Sequence, residues 1–232
     1  MSNSEDKAKT RCSNYAMKKA YKHWANNDND TALKYCSLAI KINPQNAAAY
    51  ALRGSMYNYK DWHKRAFRDL NKALSLGLND EDVYFELGYA HLLCEEYSEA
   101  VNNFSNALTL NPNSFILWFF RGCTFDDMDL YDKAIPDLTI ALSLNRNDTN
   151  TLERLSNAYL SRGNRYLKAG KNLEAIDDFT NATESVDFIV KAYEGRAAAY
   201  TNLGRFDDAK ADMAKAKYIR EEQEPSKKNS HG

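Results

Sequence analysis

Residues 81–114 read EDVYFELGYAHLLCEEYSEAVNNFSNALTLNPNS. Tyr84, Leu87, Gly88 and His91 are spaced by three, one and three residues. Ala100, Phe104 and Ala107 follow at i, i+4 and i+7, and Asn111-Pro112 closes the stretch. Residues three and four apart share one face of a helix. The stretch therefore reads as two short amphipathic helices with a turn between them and a proline stop at the end.

The same pattern repeats outward in both directions. An alanine followed four residues later by an apolar side chain occurs at Ala32, Ala66, Ala100, Ala134, Ala175 and Ala209, in steps of 34, 34, 34, 41 and 34 residues. A second alanine follows seven residues after each, at Ala39, Ala73, Ala107, Ala141, Ala182 and Ala216. Upstream a small residue keeps the same step: Ala20, Gly54, Gly88, Gly122, Gly163 and Ala197. Two helices approach closely only where the facing residues are small, and larger neighbours fill the remaining space. Large residues do flank the small one: Tyr50, Tyr84, Trp118, Tyr159 and Tyr193 precede it by four, and His23, Tyr57, His91, Phe125, Tyr166 and Tyr200 follow it by three. A unit of this size leaves one apolar side uncovered, so units must stack.

This pattern resembles the tetratricopeptide repeat (TPR), whose period is 34 and whose signature is W-x2-L-G-x2-Y followed by A-x3-F, A and P. Residues 81–114 match it as Tyr84, Leu87, Gly88, His91, Ala100, Phe104, Ala107 and Pro112. The Sel1-type repeat, with its longer and variable period, fits the steps poorly. The resemblance implies an all-α fold, a right-handed α-α superhelix of six helix-turn-helix repeats at 13–46, 47–80, 81–114, 115–148, 156–189 and 190–223. Residues 149–155 are an insertion of nearly two helical turns, expected to lengthen the first helix of the fifth repeat without rotating its faces, with Thr149-Asn150-Thr151 as cap and start. Asn27, Asp61, Asp129, Gly170 and Gly204 suit the turns. Pro136 falls early in the second helix of the fourth repeat. Residues 1–12 and 224–232 are polar and charged, and read as disordered ends around a single domain, 13–223.

In the family the first helix of each repeat lines a concave groove. The resemblance carries that role to Met17, Tyr21 and Trp24, to Tyr59, to Asp82, Phe85, Tyr89 and Leu92, and to Ile116, Phe119, Asp126 and Asp127. Aromatic side chains on such a surface are typical recognition groups. The run Phe115 to Phe120 is apolar all round its helix. Trp118 belongs to the core by register, whereas Ile116 and Phe119 should face the groove, to be covered by a partner or by the lengthened fifth-repeat helix. The formal net charge is −1, yet residues 80–135 hold eleven acids against Arg121 and Lys133, a local balance of −9. The expected partner is a protein or peptide with apolar groups and net positive charge. Nothing global draws the chain to nucleic acid or to a membrane surface. Co-chaperones of the family grip the C-terminal carboxylate of Hsp70/Hsp90 with lysine, asparagine and arginine at fixed positions. Here those positions hold Met17 and Tyr21, Ala51 and Ser55, Phe85 and Tyr89, or Phe119 and Cys123, which argues against a carboxylate clamp.

No site for catalysis, metal or cofactor emerges. His23 and His91 occupy a core aromatic position, His63 follows Trp62 in a turn, and no HExxH, CxxC or phosphate loop occurs. Asp126-Asp127-Met128-Asp129 lacks the glycine and terminal glutamate of a calcium loop. Cys123 could be reactive if it lines the groove, but neighbouring acids would raise its pKa. The four cysteines are scattered and no signal peptide precedes them, so a reduced, cytoplasmic setting is expected. Three readings follow: an adaptor or scaffold that holds a peptide or partner in the groove; a secretion or folding chaperone that shields an apolar client segment; and a homo-oligomer that buries its own patch. An enzyme is the weakest.

Overall fold

A helix ends cheaply where one residue turns left-handed and the next amide reaches back to an orphaned carbonyl. In the computed structural model, which describes residues 2–182 and 188–228, that device recurs six times. The left-handed residues are Asn27, Asp61, Glu95, Asp129, Gly170 and Gly204, with φ between 57° and 73°. The amide after each donates to the carbonyl five residues back, as in Glu96 N to His91 O at 2.9 Å and Leu130 N to Phe125 O at 2.8 Å. Each three-residue turn joins the two helices of a pair. The pairs are α1 (Ser2–Ala25) with α2 (Asn29–Ile42), α3 (Ala47–Tyr59) with α4 (His63–Ser75), α5 (Glu81–Leu93) with α6 (Tyr97–Leu110), α7 (Phe115–Asp127) with α8 (Tyr131–Leu144), α9 (Thr149–Lys168) with α10 (Asn172–Asn181), and α11 (Ile189–Asn202) with α12 (Phe206–Lys228). No strand occurs among the described residues.

The helices form two compact units, Met1–Asn113 and Ser114–Gly232. In the first, α2 packs on α3 and α4 on α5; in the second, α8 packs on α9 and α10 on α11. The alanines Ala32, Ala66, Ala100, Ala134 and Ala175 are fully buried, as are Ala39, Ala73, Ala107, Ala141 and Ala182.

The small residues earn their place by contact sixteen residues downstream. A Cβ added to Gly88 would stand 2.7 Å from Phe104 Cε1, and one on Gly54 would stand 2.6 Å from Leu70 Cγ. Gly122 meets Leu138 at 2.8 Å and Gly163 meets Phe179 at 2.9 Å in the same way. Beside this apolar contact runs a polar one with the same spacing. Arg53, Arg121, Arg162 and Arg196 each donate from Nε and Nη2 to both oxygens of Asp69, Asp137, Asp178 and Asp212, at 2.5–3.1 Å. All four carboxylates are buried. The guanidinium groups also lie over repeat aromatics, Arg53 over Tyr50 and Tyr57, and Arg162 over Tyr159 and Tyr166. Bidentate pairing fixes direction as well as distance, so these pairs set the register of one helix on the other.

The ends differ from the compositional reading. α1 starts at Ser2, within the segment expected to be disordered; residues 4–12 are exposed, and Lys9 pairs with Glu5 one turn away at 2.9 Å. α12 runs through Lys228, past the expected boundary at 223, and residues 229–232 lie outside the described residues. The seven added residues fall in α9, which has 20 residues against 13 in α3, α5 and α7. Its cap is Asp148 rather than the threonines: Oδ2 accepts from Thr151 N at 2.8 Å and from Thr151 Oγ1. Pro136 is the sixth residue of α8, which continues to Leu144. No helix among the described residues is long and apolar enough to cross a membrane.

Candidate functional site

The twelve residues assigned to a groove divide between the two units, eight in the first and four in the second. In the first unit Tyr21 on α1 and Tyr59 on α3 are 51% and 73% exposed. Trp24 meets Tyr59 edge-on at 6.2 Å while its other side packs on the core of α1, α2 and α3. On α5, Phe85 is half-buried between Tyr89, stacked at 6.1 Å, and Phe104 of α6 at 6.1 Å. Leu92 is half-buried and Asp82 exposed. Met17 departs from the expectation: it is 5% exposed and sits in the core with Ala16, Ala20 and Cys36. A methionine at this register is drawn inward because the facing residues, Cys36 and Ala39, are small and leave room.

A cleft of about 340 Å³ opens between α1, α3 and α5, lined by Tyr21, Ala48, Ala51, Leu52, Ser55, Leu78, Asp80, Asp82 and Val83. Asp80 caps α5, its Oδ1 accepting from Asp82 N at 2.9 Å. Burial, with the charges of Asp80 and Asp82 added to it, pushes the Tyr21 phenol above its ordinary range. Burial also raises the Asp82 carboxyl, helped by Asp80 and Glu81. Behind the rim, Asn58 of α3 donates from Nδ2 to Glu86 O and Oε2 of α5, both at 2.8 Å. Burial raises the Glu86 carboxyl in spite of hydrogen bonds from Asn58 and Ser55.

The second unit repeats this contact with other chemistry. Asp126 on α7 faces Arg154 on α9, 28 residues on, as Asn58 faces Glu86, and the Nη1–Oδ2 distance is 3.4 Å. Arg154 also reaches Asp127 at 3.3 Å. Asp126 is therefore not an open groove acid as expected: it is 7% exposed, and burial raises its carboxyl against the pull of Arg154. Ile116 is 42% exposed. Phe119 is half-buried against a core containing Leu155 and Ala158 of α9, so the lengthened helix covers one side of it. Its other side lines a cleft of about 390 Å³ with Asn150, Glu153, Arg154, Asn157 and Phe188. Cys123 is buried rather than groove-lining, and burial pushes its thiol up to about 12.

His23 and His91 have structural partners. His23 stacks on Tyr35 at 5.4 Å and bonds Asp28 Oδ2 at 2.9 Å, and His91 packs at a tilt on Phe67 at 4.4 Å and bonds Glu96 Oε2 at 2.6 Å. Among the described residues no group of three or more His, Cys, Asp or Glu side chains comes together in a way that could hold a metal ion.

Two profiles, both described as tetratricopeptide repeat, match the sequence, one over residues 81–114 and the other over 160–222. Over these two stretches the chain carries tetratricopeptide repeats. Among solved structures it is similar to MamA, at 23% identity and a TM-score of 0.63, over 78% of this chain and 94% of that one. It is similar to YrrB, described as a TPR protein with an unusual peptide-binding site, at 23% identity and 0.59, over 79% and 91%. A TPR protein from Parabacteroides merdae aligns at 20% identity and 0.60, over 90% and 80%. These identities speak for the shared fold alone. No curated protein matches the sequence significantly. TPR arrays are in general non-catalytic modules for protein interaction.

The sequence reading overlooked the Arg–Asp pairs. A signal was present: arginine directly before the small residue, in Arg53-Gly54, Arg121-Gly122, Arg162-Gly163 and Arg196-Ala197, each with aspartate sixteen residues later.

Proposed function

We propose that this TPR protein is an adaptor or scaffold that holds a peptide or a segment of a partner protein against the first helices of its repeats. The observation that carries the reading is the exposure of the large side chains Tyr21, Tyr59 and Ile116 on one register of the first helices α1, α3 and α7. Large apolar groups left open on first helices favour recognition. Arginines of α9 pair with Asp126, Asp127, Asp129 and Asp132, so the acids that favour a partner segment with net positive charge are those of the first unit, Asp80 and Asp82. The peptide-binding site named for YrrB lies on the same fold and supports the same class of ligand. In this reading the residues that meet the partner are Tyr21, Trp24, Tyr59, Asp82, Tyr89, Leu92, Ile116, Phe119 and Asp127, with Phe85 holding Tyr89 in place.

The test is affinity capture from the native cell with wild type and Tyr59→Asp/Ile116→Asp. Both side chains are exposed, so the fold should survive, which circular dichroism checks. Loss of specific partners is expected; partners that all persist would refute the reading. A second reading, a chaperone that shields an apolar client segment, draws on the exposure of Ile116 beside half-buried Phe119. It predicts that co-expression raises the level of a client that is degraded alone, and a client stable by itself would exclude it.

A further inference from the structure

The cleft between α1, α3 and α5 combines three features that a purely structural surface would not need together. Its floor is small and apolar, made by Ala48, Ala51, Leu52, Leu78 and Val83. Its rim carries Asp80 and Asp82, and neither forms an ion pair among the described residues, whereas Asp30 is paired with Lys60 at 2.8 Å and Asp69 with Arg53. Behind it Asn58, 4% exposed, uses its amide nitrogen on Glu86 and has Oδ1 without a donor, one turn along α3 from the cleft residue Ser55. Carboxylates at a helix start do stabilise the helix dipole, and Asp80 caps α5. That role asks for no apolar floor and gives no reason for a tyrosine hydroxyl to be held beside the acids.

We propose that this cleft receives a lysine or arginine side chain of the bound peptide, its methylene stem on the apolar floor and its cationic head between Asp80, Asp82 and the Tyr21 hydroxyl. The inference rests on the proposed peptide-binding function and adds the chemistry of one position. A long basic side chain is the group that fits both halves: the stem is apolar and the head is charged. Charge complementarity selects it over an acidic or purely aliphatic residue. Asp80 and Asp82 would lose their mutual repulsion when the cation enters, which is the differential gain that drives binding.

The experiment is selection from a displayed library of random twelve-residue peptides on the full chain. An enriched peptide is then titrated against wild type and Asp80→Asn/Asp82→Asn. Asparagine caps a helix as well as aspartate does, so the variant loses charge and keeps α5. The expected result is enrichment of peptides with a lysine or arginine beside apolar residues. Affinity should fall by about tenfold or more in the variant. Replacing the peptide's basic residue by norleucine should cost the same against wild type and little against the variant. Peptides that bind wild type and variant alike, yet are lost with Tyr59→Asp, would overturn the cationic site while leaving peptide binding in place. No enrichment above an unrelated protein would overturn both. A dimer in sedimentation that the variant dissociates would overturn the peptide as occupant and assign the cleft to a second copy of the chain.

Discussion

Replacing Gly88 by alanine sets two effects of known sign against each other. Alanine is favoured over glycine in a helix interior by about 1 kcal/mol. The new Cβ would meet Phe104 at 2.7, 2.8 and 3.1 Å from Cε1, Cδ1 and Cζ. Carbon atoms pack best near 3.5–4.0 Å, so a ring with no exposed surface must retreat by about 0.7 Å or more. Overpacking of this kind costs about 1–3 kcal/mol. The clash should win, leaving Gly88→Ala less stable by about 1 kcal/mol, a fall in Tm of about 2–4 °C for a chain of this size. The chain itself suggests the rescue. Where the small residue is alanine, at Ala20 and Ala197, the residue sixteen positions on is Cys36 or Met213 rather than phenylalanine. In a Phe104→Met background, whose flexible side chain can yield, Gly88→Ala should therefore be neutral or stabilising. Urea unfolding of the four proteins in a double-mutant cycle, followed by helical circular dichroism, measures the coupling. If Gly88→Ala stabilises the wild-type background, or the two changes are additive, the close approach does not control the packing.

Three further outcomes follow from the structure. Glu95 holds φ at 59° without a glycine's freedom, so Glu95→Gly should raise stability by about 1 kcal/mol, and a lower urea midpoint would show that the turn carries no strain. Cys12 and Cys94 are exposed, while Cys36 and Cys123 are buried with thiols pushed up to about 12; a disulfide reagent at pH 8 should titrate two thiols in the folded protein and four in guanidinium, and a third fast thiol would contradict the packing around α7 or α2. The folded Glu86 carboxyl lies above its ordinary value, so the folded state binds its proton more tightly and stability from this group falls as pH rises from the usual carboxylate range through the raised value. Glu86→Gln should remove that fall, gaining on wild type more at pH 8 than at pH 4; the opposite trend would mean that the charged form is the stabilised one.

Much of the architecture was legible because it rests on local rules. The positions of Ala32 to Ala209 and Gly54 to Gly163 mark the helix faces that approach closely, and their step marks the repeat. Turn positions were readable where the residue type announces them, as at Asn27, Gly170 and Gly204. Glu95 was missed since nothing in a glutamate signals a left-handed turn; the repeat step alone points to it. Polar composition does not by itself distinguish a disordered segment from an exposed helix, and residues 4–12 extend a helix whose buried part begins at Ser13.

The groove assignment shows the limit more sharply. Register told which residues leave the first helices on one side, yet it could not tell Met17, drawn into space beside Cys36 and Ala39, from Tyr21, left open one turn later. Nor could it foresee that Arg154, supplied by the insertion, would cover Asp126, and between a partner and the lengthened α9 as the cover of Phe119 it left the choice open. The sequence by itself determined the period, the helix pairs and the small-residue contacts, since these depend on spacings within about one repeat. The tertiary structure alone decided which side chains remain at the surface, because exposure depends on the volume of neighbours 28 to 61 residues away, at Arg154 for Asp126 and at Asp80 and Asp82 for Tyr21.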